Sequence, residues 1–145
     1  MPQINPYQPP RSHVADDRGK KEVDIDALDV SEAWKKRFKW LRKAGGPSMP
    51  KLKTMSKEER RGYSHFNILA FLFGPFYYLF KGMWKKAITL FSVCLLAVII
   101  LELILTSLGF AALGKILGYG VAVVFAVRAN IDYYKKMVLR DNGWW

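Results

Sequence analysis

The chain has 145 residues, room for one small domain, and 51% of them are hydrophobic, yet the apolar residues are not dispersed as they are in a water-soluble globule. Its net charge of +11 is just as uneven: −3 over residues 1–32, +9 over 33–65 and +5 over 66–145. One cysteine, Cys94, excludes an intramolecular disulfide and any CxxC motif, and the two histidines, His13 and His65, have no ligand-like spacing, so neither metal nor cofactor is expected.

Residues 1–20 carry four prolines and no apolar periodicity, which reads as a flexible tail extending to about residue 30. "KKEVDIDALDV" at its end alternates acidic and aliphatic residues and fits either a short helix or an extended strap. No charged start followed by an apolar run of signal-peptide length occurs in the first sixty-five residues, so the N-terminus is expected in the cytoplasm.

In "SEAWKKRFKWLRKAGGP" the local signals agree. Ser31 is a candidate N-cap, Trp34, Phe38 and Leu41 recur at helical spacing, and Gly45-Gly46-Pro47 stops the helix. A basic amphipathic helix of this kind lies on a membrane interface or packs against the protein's own cytoplasmic parts. Trp34, Phe38 and Trp40 are therefore candidate lipid-interface residues. After a Pro-rich basic linker, Ser56 and Glu59 have the spacing of a capping box, predicting a helix from about Lys57 into the apolar stretch that follows.

That stretch, Phe66 to Phe80, is fifteen residues long and contains Gly74-Pro75. As one α-helix it would rise about 22 Å, against a hydrocarbon core of about 30 Å. Pro75 lacks an N–H and would clash with the carbonyl of Phe71, so a break is expected there. A short span, a buried core helix and a re-entrant segment are all open. Tyr77, Tyr78, Trp84, Lys85 and Lys86 suit a headgroup-level belt.

Ala87 to Leu105 is a nineteen-residue apolar run interrupted by Glu102, and Leu108 to Val127 is a second run of twenty residues containing Lys115. With "TSLG" as the turn between them, they predict a transmembrane hairpin. Both of its flanks are basic, which places them in the cytoplasm, and a re-entrant Phe66–Phe80 keeps the +9 segment on that side as well.

Three constellations carry whatever chemistry is legible. Glu102 and Lys115 form a candidate intramembrane pair near the hairpin turn, or each snorkels to the outer face. Gly114, Gly118, Ala122 and Ala126 recur every four residues as a helix-packing face. His65, Asn67, Arg128, Asn130 and Asp132 form a candidate polar cluster at the inner face. No catalytic residues are assigned, because no hydrolase, metalloprotease or nucleotide-binding motif occurs. Anionic lipid headgroups and another protein, or a second copy of the chain, are the expected partners; nucleic acid is not, because the basic segment adjoins the apolar block.

"FNILAFLFGPFYYLFKGMWKKAI", followed by an apolar hairpin and "ANIDYYKK" at 129–136, resembles a family of small bacterial inner-membrane proteins of unknown function, the 2628-type domain. The shared signatures are "FNxxAFxFGPxYxL" and "ANxxYY", and "SEAWKKRFKWLRKAGGP" is similar to the cytoplasmic helix of an HrgC-like subset. The resemblance covers roughly residues 30–140 and implies an inner-membrane location without supplying an activity. The combined expectation is an all-α membrane protein: a tail (1–30), a basic cytoplasmic segment (31–61), a re-entrant aromatic segment (62–84), a transmembrane hairpin (85–134) and a cytoplasmic tail (135–145). Its expected role is interaction or anchoring at the cytoplasmic membrane face, with a small oligomeric channel or transporter component as the alternative and a lipid-acting enzyme third.

Overall fold

The computed structural model describes residues 23–61 and 65–145. Most of the N-terminal tail, including His13, lies outside the described residues. Those described form seven helices and no strand: α1 (Glu32–Lys43), α2 (Lys57–Arg61), α3 (Ile68–Phe73), α4 (Pro75–Phe80), α5 (Trp84–Ser107), α6 (Ala111–Gly114) and α7 (Leu117–Met137).

Helix α1 begins after Ser31, which has extended backbone but whose hydroxyl accepts no capping hydrogen bond. It ends as its glycines dictate: Gly45 sits at φ +96°, its N–H reaches the Arg42 carbonyl at 3.0 Å, and the Gly46 N–H reaches Leu41 at 2.8 Å. This is the paired bonding of a Schellman stop, which needs a left-handed residue at the position Gly45 holds. The capping box also forms. Ser56 N–H donates to Glu59 Oε2 at 3.0 Å, and Glu59 N–H donates to Ser56 Oγ at 3.2 Å.

The predicted continuous helix from Lys57 into the apolar stretch is corrected. Asn67 has extended backbone (φ −106°, ψ 103°), and its side-chain oxygen accepts from the Ala70 N–H at 3.0 Å, so it caps a new helix, α3. Asn is among the strongest N-cap residues because its oxygen satisfies an otherwise orphaned donor. The break expected at Gly74-Pro75 is present: α3 stops at Gly74 (φ +49°, ψ −122°) and α4 starts at Pro75, where proline's missing N–H costs nothing. Each of these six-residue helices rises about 9 Å.

Helix α5 has 24 residues, a length of about 36 Å. A turn with Gly109 at φ +82° returns the chain. The return strand of the hairpin is not one unbroken helix, because α6 ends at Gly114 and α7 begins at Leu117. Helices α5 and α7 pack on each other, α3 packs on α7, α4 on α5 and α1 on α7.

The core sits at one end of this hairpin. Ala87, Leu90 and Cys94 of α5 meet Phe125, Ala129, Tyr133 and Tyr134 of α7, with Ala70, Tyr77 and Tyr78 from α3 and α4 filling one side. Trp34, Phe38 and Leu41 of α1 cover the end of that core, and burial of each such side chain contributes about 1.5–3 kcal/mol. Ile25, at 2% exposure, joins the same core, so the stretch from Val23 onward is a packed strap rather than part of a tail ending at residue 30. Beyond the core, Leu95, Leu96, Ile99, Ile100, Leu103, Leu113, Tyr119 and Val123 are exposed, as are Leu69, Leu72, Phe76 and Phe80 on the outer faces of α3 and α4.

Candidate functional site

The side chains that tie these elements together are polar and sit at the base of the hairpin. Asn67 stands between helices. Its Nδ2 donates to Asn130 Oδ1 of α7 and to the Tyr77 hydroxyl of α4, both at 3.0 Å, while its backbone N–H donates to the Ala126 carbonyl at 3.1 Å. One residue therefore caps α3 and fastens it to both α4 and α7. Asn130 is fully buried and Asn67 is 6% exposed, so these hydrogen bonds stand in for the water contacts that burial removes.

A second set lies alongside. Asp132 is 1% exposed; its Oδ2 accepts from the Tyr78 hydroxyl at 3.1 Å and from Arg128 Nε, one helical turn back, at 3.5 Å. Its Oδ1 is buried and accepts no hydrogen bond. A void of about 10 Å³, the size of one water, lies among Lys86, Leu90, Arg128, Asp132 and the two terminal tryptophans. The C-terminal residues close this side. Lys86 Nζ donates to the Asp141 carbonyl at 3.1 Å, Asn142 Nδ2 donates to the Gly82 carbonyl at 3.3 Å, Trp144 stands edge-on to Trp84, and the Arg128 guanidinium lies 4.3 Å from the centre of a Trp145 ring.

A third group is aromatic and cationic. Trp34 meets Tyr133 edge-on at 4.6 Å between centroids, and Phe38 contacts both Tyr133 and Tyr134. Two cations approach these rings: Arg37 at 4.8 Å and Lys81 Nζ at 5.3 Å from Trp34, with Lys81 also 4.7 Å from Tyr133. Between α1 and α3 they border a cleft of about 240 Å³.

Of the five residues read as a polar cluster, the structure joins Asn67 to Asn130 and Arg128 to Asp132. His65 stands edge-on to Trp40 on the α1 side. Sequence reasoning left out Tyr77, Tyr78 and Lys86 as members of these networks. The usable signal was a tyrosine pair directly after the Gly-Pro break, on the face opposite Phe76 and Phe80. Of the side chains assigned to the lipid interface, Trp34, Phe38, Tyr77, Tyr78 and Lys86 are buried in the protein, Trp40 and Lys85 are half-buried, and Trp84 is exposed. Trp40 Nε1 donates to the Glu59 carbonyl at 2.7 Å, which docks α2 on α1.

Glu102 and Lys115 are both exposed and make no ion pair with each other. The Glu102 side chain lies over Gly114, where an added Cβ would meet its Cγ at 3.4 Å. The four-residue repeat is divided by the α6–α7 break: Ala126 is fully buried in the core, Ala122 is half-buried, and Gly118 is exposed, where an added Cβ would meet nothing within 4 Å. Among the described residues no three His, Cys, Asp or Glu side chains come together as a metal ion would require.

Fold and site together define a small all-helical protein with two helical segments, α5 (Trp84–Ser107) and the α6–α7 stretch Ala111–Met137, long and apolar enough to cross a membrane. Its short helices are locked to the base of that pair by buried Asn, Tyr and Asp side chains. The chain belongs to the family described as protein of unknown function DUF2628, whose model matches residues 22–138. That match takes in the Val23–Val30 strap, which the sequence reading placed outside the family. Relatives include the uncharacterized protein YigF of Salmonella typhimurium, 31% identical over 127 residues that cover 83% of this chain and 94% of the relative. The uncharacterized YigF of Escherichia coli is 31% identical over 122 residues, covering 79% and 90%. No solved structure matches the chain.

Proposed function

We propose that the protein is an integral inner-membrane anchoring module with both termini in the cytoplasm, holding a basic helical platform at a fixed height on the membrane face for a protein partner. The observation that carries this reading is the packing of Trp34 and Phe38 on Tyr133 and Tyr134. It bolts α1 to the last turns of α7, so the orientation of the Lys/Arg-rich face of α1 is set by the hairpin rather than by a linker. An isolated helix of that length is marginal in water, and a packed apolar face is what would make it persist.

The exposed apolar surface supports the membrane assignment. Both long helices are only 11% buried over their most apolar windows, which suits a lipid environment and not the core of a soluble protein. Helices α3 and α4 are each too short to cross, and they present Leu69, Leu72, Phe76 and Phe80 outward at the side of the hairpin base. In this reading they dip into the inner leaflet and return. At their non-helical junction the Gly74 N–H donates to the Ala70 carbonyl at 2.8 Å and Pro75 has no N–H, so neither residue of the break leaves an amide donor unpaired at that depth. The resulting organisation is a cytoplasmic segment (31–61), a re-entrant pair (62–84), a spanning hairpin (85–134) and a cytoplasmic tail (135–145) that returns over the base.

Topology reporters fused after Arg61, Lys86, Ser107 and Trp145 test this arrangement. Cytoplasmic signals at Arg61, Lys86 and Trp145 with an extracytoplasmic signal at Ser107 are expected. An extracytoplasmic signal after Arg61 or Lys86 overturns the re-entrant reading.

A further inference from the structure

We infer that the cleft between α1 and α3 is a binding site for one phospholipid, with its phosphate held by Arg37 and Lys81 and an acyl chain lying along the outer face of α3. This rests on the membrane reading above and gives that reading a specific ligand.

The charge pattern is the first argument. Arg37 and Lys81 approach the same Trp34 ring, at 4.8 and 5.3 Å, and both line the cleft. Elsewhere on α1 Lys35 pairs with Glu32, Lys39 with Asp26 and Lys43 with Glu59, but among the described residues no carboxylate pairs with Arg37 or Lys81. Lys81 is half-buried, and its ammonium is pushed below the usual lysine range by that burial and by Lys136 nearby. An anion seated in the cleft relieves both cations, and bonds from ionised donors to phosphate oxygens are about twice as strong as neutral ones.

Shape is the second argument. The wall opposite the cations is Phe66, Ile68 and Leu69, exposed at 39, 66 and 55%, so one end of the cleft is cationic and the other opens onto the apolar outer face of α3. A free phosphate would use the first end and leave the second bare. An amphiphile uses both, and the rim is built from α1, α3 and the α4–α5 turn, the elements that meet where headgroup and hydrocarbon would divide.

The test uses the full chain, purified in neutral detergent, and reads thermal unfolding while dioleoyl phosphatidylglycerol, dioleoylglycerol or inorganic phosphate is titrated in. Phosphatidylglycerol is expected to raise the transition temperature saturably, while dioleoylglycerol and inorganic phosphate at equal concentration leave it unchanged. The Arg37→Gln, Lys81→Gln double variant is expected to weaken apparent phosphatidylglycerol affinity at least tenfold, and Lys36→Gln, Lys53→Gln, exposed elsewhere, is not. Equal protection by dioleoylglycerol overturns the phosphate contact, and equal protection by inorganic phosphate overturns the lipid. An unchanged affinity in the double variant overturns the assignment of Arg37 and Lys81. If that variant does not fold, the three-ligand comparison on the unaltered protein decides. Alkaline extraction of membranes keeps the two levels apart: release of the protein defeats the membrane reading, whereas retention without lipid protection defeats only the cleft.

Discussion

Asn67 and Asn130, sixty-three residues apart in sequence, are joined by a 3.0 Å hydrogen bond inside the protein, Nδ2 to Oδ1. Because the same Asn67 side chain caps α3, the start of a helix and its attachment to α7 depend on one residue. Asn67→Ala is expected to destabilise the fold by about 2–3 kcal/mol, the loss of a cap together with a buried amide left short of a partner. The double-mutant cycle with Asn130→Ala, read by chemical unfolding in micelles, should return a coupling of about 1 kcal/mol. Additive single effects would show that the two amides do not act together.

Tyr78 holds the neighbouring carboxylate. With Oδ1 of Asp132 accepting nothing, the Tyr78 hydroxyl is one of two donors on Oδ2. Removing a single oxygen by Tyr78→Phe preserves the ring contact with Phe125 and leaves a buried charge less well satisfied, at an expected cost of about 1–3 kcal/mol. Adding Asp132→Asn should recover part of that cost by discharging the group. A neutral Tyr78→Phe in the same unfolding assay would mean that Arg128 alone satisfies the carboxylate.

How much of this was legible depends on the range of the interaction. The ends of α1, the capping box at Ser56 and Glu59, the break at Gly74-Pro75 and the long apolar helix α5 are written in residues within one or two turns of one another, and all can be read from the chain. Asn67 was visible as a polar residue before "ILAF", but its capping role competes with a continuing helix, and only the extended backbone decides between them. The return of Trp144 and Trp145 over Arg128 and the burial of Ile25 depend on contacts across most of the sequence. Such contacts impose no local period. Similarly, Trp34 and Phe38 show which face of α1 is apolar without showing whether lipid or Tyr133 covers it.

Gly74 separates backbone strain from crowding. It sits at φ +49° and ψ −122°, a conformation open to glycine and costly to residues with a Cβ, yet a Cβ there would meet nothing within 4 Å. Gly74→Ala should therefore destabilise by about 1–3 kcal/mol through the backbone alone. Gly118→Ala, in a helix and also facing open space, should be neutral or stabilising by up to about 1 kcal/mol. Thermal unfolding of the two variants side by side checks the contrast; equal effects would remove the strain argument.

The junction of α1 and α2 should respond to acid. The Glu59 carboxyl lies below the ordinary glutamate value of 4.5, first because it accepts a hydrogen bond from Lys43 and second because it accepts the Ser56 backbone N–H. A carboxylate lowered on folding favours the folded state above the ordinary value, and that contribution is lost as pH falls through the lower, folded-state value. The group is exposed, so the effect is local: α2 frays while the hairpin base stays packed. Trp40, whose indole N–H donates to the Glu59 carbonyl, is the reporter. Its fluorescence, isolated by replacing Trp84, Trp144 and Trp145 with Phe and correcting for buried Trp34, should shift below pH 4.5 in the parent and show no such step in Glu59→Gln. The Gln variant keeps an acceptor oxygen for the Ser56 N–H and loses the charge that pairs with Lys43, so its Trp40 signal should be independent of pH across this range. A step of equal size in both proteins would place the acid response on another carboxylate, with Asp26 beside Lys39 the next to test.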